Sequence, residues 1–100
     1  AELQYQKGKK DYLLMLDKAV NQYREYKRTL ESNEESIRWS EESFKYSQEL
    51  FSSGQLTVTD LNDAELQLTQ AKLSREVTLF NLNIILAQIE RLTLIGQTNE

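Results

Sequence analysis

The chain has no proline, no cysteine and no histidine, and only three glycines, Gly8, Gly54 and Gly96. Proline breaks helices and glycine weakens them, so their scarcity leaves long unbroken helices possible. Without cysteine and histidine there are no thiolate or imidazole metal sites, cysteine nucleophiles or histidine-based triads. No nucleophile–base constellation or phosphate-cradling loop is visible either, so no catalytic residue, metal site or cofactor is expected, and an enzyme is not the reading. The net charge is −4, with both signs mixed along the chain. A nucleic-acid binder would instead show a basic patch. No apolar run approaches the ~20 residues of a membrane span. Direct membrane insertion by this segment is therefore not expected. No signal peptide is read in it, so an exported parent would carry its signal elsewhere.

Charged and apolar residues alternate instead at helical spacing. Residues Ala1 to Lys10 are polar, and Lys7-Gly8-Lys9-Lys10 reads as a solvated face rather than a binding patch. From Tyr12 a seam recurs in steps of four and three, through Leu16, Ala19, Tyr23, Tyr26, Leu30, Asn33, Ile37, Ser40, Phe44 and Ser47 to Phe51. That heptad pattern predicts a coiled-coil helix. Trp39 and Tyr46 lie seven apart and off this seam, on a second face. Their rings either cover neighbouring side-chain stems or make a second helix–helix contact. Arg28, Glu35, Glu42 and Glu49 mark the solvated side.

The strong break is Phe51 to Ala64. Gly54 can end a helix in the left-handed conformation. Thr57 offers an N-cap oxygen, Asp60 stands three residues on, and Leu56 and Leu61 sit at the staple positions. A stop, a short loop and a start predict a tight turn at 53–57. The second helix resumes the seam at Leu61, Ala64, Leu68, Ala71, Arg75, Thr78, Leu82, Ile85, Ile89 and Leu92. Folding back at the turn pairs positions whose numbers sum to about 112, so that large residues meet large and small meet small. Phe51 then faces Leu61, Phe44 faces Leu68, and Ser40 faces Ala71. Arg75 opposite Ile37 and Asn33 opposite Thr78 are the exceptions, read as polar positions that fix register. The expected fold is all-α, a long antiparallel two-helix coiled-coil hairpin with helices over about 9–52 and 58–95. Gly96 reads as the C-terminal cap and Gln97 to Glu100 as a tail.

The second helix has a further stripe. Leu66, Leu73, Phe80, Ala87 and Leu94 recur every seven, flanked by Val77 and Ile84, nearly opposite the first seam. Polar residues fill the two remaining sides. Such a helix has neighbours on both flanks and water inside and out, as a stave in a helical barrel does. A compact four-helix bundle of two hairpins would favour one wide face. A single hairpin has little core for its length, so the chain either self-associates or belongs to a larger assembly.

The pattern aromatic-x-x-Gly-x-x-Thr-x-x-Asp-Leu-x-x-Ala-x-x-x-Leu-x-x-Ala stands here as Phe51, Gly54, Thr57, Asp60, Leu61, Ala64, Leu68 and Ala71. With the downstream run Phe80 to Leu92 and Gly96, it resembles the helical hairpin of TolC-type outer-membrane efflux channels (outer membrane factors). The resemblance covers nearly the whole chain, and Ala1 to Asp11 add little to it. It implies a trimeric channel of Gram-negative bacteria whose hairpins form a periplasmic barrel beneath an outer-membrane β-barrel. The turns would close the channel and dock tip-to-tip on the hairpin of a periplasmic adaptor protein, in tripartite efflux or type I secretion. It implies an adaptor-docking turn at Ser52, Ser53, Gly54, Gln55, Leu56 and Thr57. Asp60 and Asp63 would be constriction residues that attract cations, and Leu66, Leu73, Phe80, Trp39 and Tyr46 lateral helix contacts. Self-association would be trimeric in the full-length channel and dimeric for an isolated piece. Phe51 replaces a tyrosine and Leu56 an arginine found in some members, so a polar gating network at those two positions is not implied. Two other readings compete. The adaptor's own hairpin shares the Leu50-to-Thr57 spacing but has arginine where Tyr46 stands. A stand-alone dimerising coiled coil needs only the seam.

Overall fold

A computed structural model describes residues 2–98, with side chains placed over residues 5–95. The chain is an all-α hairpin of two long helices packed against each other, α1 over Glu2–Ser52 and α2 over Val58–Thr98. Among the described residues there is no strand. Both helices are longer than the sequence suggested. The first passes through Gly8 without a break, and the second passes through Gly96 to Thr98, so Gly96 is not its C-terminal cap. Neither glycine has a proline or a competing cap beside it, and a lone glycine weakens a helix by only ~0.5–1 kcal/mol. The last two residues of the expected tail lie outside the described residues.

The chain divides into two compact units. The turn unit holds residues 29–79 and the terminal unit residues 1–28 with 80–100. In the turn unit the predicted seam is the packed face. Ser40 and Thr78 are buried, and Ile37, Phe44, Leu61, Ala64, Leu68 and Ala71 are half-buried. Phe51 departs from the pattern: at the end of its helix it remains 40 % exposed. Small side chains let two backbones approach closely, which explains how a hydroxyl residue such as Ser40 becomes more buried than the phenylalanine one turn on.

In the terminal unit Ala19, Leu82 and Ile85 are buried, with Tyr12, Leu16, Tyr23, Ile89 and Leu92 half-buried. The Tyr12 hydroxyl donates to the Leu92 carbonyl at 2.7 Å. The numbers of these two partners sum to 104, not to the value near 112 counted back from the turn. The simple fold-back register therefore does not describe this pair.

The described core is thin. Its three buried apolar residues are Ala19, Leu82 and Ile85. The stretch Val58–Ile95 also passes as a membrane span by length and composition, with a mean hydropathy of 1.2 in its most apolar window. The sequence reading found no such run because it required uninterrupted residues: the longest stretch without charge in α2 runs only from Val77 to Ile89, and it includes Asn81 and Asn83.

Candidate interaction site: the turn and the second face of the hairpin

The turn is closed by backbone and side-chain hydrogen bonds that its residue types dictate. Gly54 has φ of 79°, the left-handed region where a Cβ is costly. The Gln55 N–H donates to the Leu50 carbonyl at 2.8 Å, and the Gly54 N–H to the Phe51 carbonyl at 3.1 Å. This pair of bonds is the Schellman closure of α1, and it satisfies carbonyls that the helix end leaves unpaired. The Ser53 hydroxyl adds a bond to the Leu50 carbonyl at 3.0 Å. On the other side, Thr57 caps α2 as predicted: its Oγ1 accepts from the Asp60 N–H at 3.2 Å. Asp60 is the acidic residue of the first turn, where the helix dipole favours it.

These constraints leave the turn's outer surface open. Ser52, Ser53, Gly54, Gln55 and Thr57 are exposed, while Leu56 is half-buried. A Cβ on Gly54 would meet nothing within 4 Å, so the space beside it is open. Asp60 and Asp63 are both exposed.

Facing away from the seam, the turn unit presents large apolar side chains. On α2 Leu66 is 54 % and Leu73 63 % exposed; on α1 Trp39 is 65 % and Tyr46 62 % exposed. Trp39 lines a shallow groove with Ser32, Glu35, Ser36 and Ser40. The rings of Trp39 and Tyr46 are both largely exposed. In the terminal unit Phe80 is 66 % exposed, and Ile84 and Leu94 are exposed as well. The two apolar faces of α2 thus differ in state: one is covered by α1 and the other is open. Leu13, Leu14 and Met15 are also exposed, and the sequence reading missed them. The signal was present, because the uninterrupted run Tyr12 to Leu16 must wrap a helix on every side at 100° per residue.

Polar seam positions behave in two ways. Asn33 Nδ2 donates to Thr78 Oγ1 at 2.6 Å and reaches the Ser74 carbonyl at 3.3 Å. The Thr78 hydroxyl in turn donates to that carbonyl at 3.0 Å. This layer is satisfied and has one geometry. Arg75 is not. Its Nε is shielded from water and has no hydrogen-bond partner, and its side chain lines an open groove of about 270 Å³ with Glu34, Ile37 and Arg38. Compared with family models, curated proteins and solved structures, the chain matches none of them.

Proposed function

We propose that this hairpin is the periplasmic tip segment of an outer-membrane efflux channel, forming part of the channel wall and docking tip-to-tip on a periplasmic adaptor. It performs no chemistry. The observation that carries the reading is the open second face of α2. A helix covered on one side and apolar on the opposite side suits a wall, where each helix has two lateral neighbours. A second feature of the turn unit supports it. By the fold-back sum near 112, Trp39 stands level with Leu73 and Tyr46 level with Leu66. Hairpins set side by side with their turns at the same end would bring these exposed side chains together. The open space at Gly54 suits a docking tip, and the exposed Asp60 and Asp63 suit a constriction ring that attracts cations. A stand-alone dimerising coiled coil is the second reading, because two copies alone could cover the same stripe.

Gly54→Trp tests the docking role, with Gly54→Asn as the control that keeps the left-handed backbone accessible. The probe is a panel of periplasmic adaptor hairpins from the same genome, captured by pull-down. The tryptophan variant should lose at least about tenfold in capture while its helical circular dichroism persists, and the asparagine variant should stay near the parent. Equal capture by all three, or none by the parent, would count against an adaptor-docking tip.

A further inference from the structure

We propose that the groove at Trp39 binds a primary alkylammonium group, with its stem on the indole ring and its charged head between Glu35 and Ser40. The groove lies wholly within the turn unit, on one helix, and the inference does not rest on the channel reading. Its lining residues Ser32, Glu35, Ser36, Trp39 and Ser40 stand three and four apart, so they share one face of α1. The groove measures about 510 Å³. Trp39 is 65 % exposed, and an indole left in water offers both an apolar platform and a π-face for a cation. Residues 31–42 carry five acidic side chains, Glu31, Glu34, Glu35, Glu41 and Glu42, and one base, Arg38. Arg38 lines the separate groove with Arg75. The local field therefore draws cations and repels anions.

Exposed glutamates alone would mark only a solvated face. Ser40 is what distinguishes this one. It is 7 % exposed, it lines the groove, and its hydroxyl makes no hydrogen bond to any of the described residues. Elsewhere the chain satisfies such hydroxyls locally: Thr69, Thr78 and Thr93 each donate to the carbonyl four residues earlier. A buried hydroxyl without a partner is costly, and the groove is the side from which Ser40 can be served. A primary ammonium carries three N–H donors. The Ser40 oxygen accepts one and the Glu35 carboxylate another, as a charge-assisted bond, while the alkyl stem covers the Trp39 ring. Other ligand chemistries fit less well. A carboxylate or phosphate would meet Glu35 with like charge, and a quaternary ammonium has no N–H for Ser40.

Trp39 is the only tryptophan in the chain, so its fluorescence reports on this groove alone. Butylammonium, n-butanol, butyltrimethylammonium and glucose are titrated at constant ionic strength, and circular dichroism checks that each variant stays helical. Butylammonium should give a saturable change with Kd of about 1–10 mM, and the alcohol should bind at least about tenfold more weakly. Glu35→Gln, at an exposed position, should weaken butylammonium by about tenfold, and Ser40→Ala by about threefold. The same group is carried by free amines and by lysine side chains, so a lysine-bearing helical peptide is titrated in parallel. Saturable binding of either amine supports the site, and the tighter of the two names the source. No saturable change with either amine up to ~100 mM would overturn the proposal. So would equal response to the alcohol, the quaternary ion or the sugar, or a Kd unmoved by Glu35→Gln.

Discussion

Gly54 stops one helix and Thr57 starts the next, and each has a separable effect on stability. The left-handed φ of 79° penalises any Cβ, although space around it is open. Gly54→Ala should therefore cost ~1–2 kcal/mol through backbone strain alone. Thr57→Ala removes the oxygen that accepts from the Asp60 N–H, and the expected loss is ~1 kcal/mol. Gly8 is the converse case. It lies in the helix interior with nothing within 4 Å of a Cβ, so Gly8→Ala should stabilise by ~0.5–1 kcal/mol. Arg75 is also a cost to the fold, because its shielded Nε has no acceptor. Replacing it with leucine removes an unsatisfied donor and extends the apolar seam, and should raise stability by ~1 kcal/mol. Urea titrations of the four variants measure these signs, and a destabilised Arg75→Leu would mean that the guanidinium has a partner role in the fold.

At the level of the helices, the seam was legible and the ends were not. The heptad steps from Tyr12 to Ser47 and from Leu61 to Leu92 mark the residues that become buried or half-buried. The turn was legible for the same reason: glycine, threonine and aspartate at those spacings have few other uses. Gly96 misled because a glycine after an apolar run is a stop signal only where nothing continues the helix, and here α2 goes on to Thr98. The openness of the second stripe could not be read at all, since periodicity marks an apolar face without saying what covers it. The Asn33 layer shows the opposite: sequence placed it opposite Thr78, and the two side chains are bonded at 2.6 Å. Asn33→Ala should cost ~1 kcal/mol and should loosen register, because it removes the directional bond to Thr78. Hydrogen exchange of the Ser74 to Thr78 amides would report that loosening, and unchanged protection would speak against a register role.

Taken whole, the chain presents more apolar surface than its own two helices can cover. Among the described residues, three buried apolar side chains make a thin core. Large exposed side chains at Trp39, Tyr46, Leu73 and Phe80 stand at helical spacing rather than scattered. Scattered exposure needs no explanation, whereas an ordered stripe is what the proposed wall would cover. In the proposed wall a neighbouring helix lies against that stripe. Sedimentation equilibrium of the chain beside its Leu73→Glu/Phe80→Glu variant tests that requirement most directly. The chain should associate and the variant should sediment as a monomer of unchanged helicity. Equal association of the two, or monomers in both, would mean that the second face of α2 does not drive assembly.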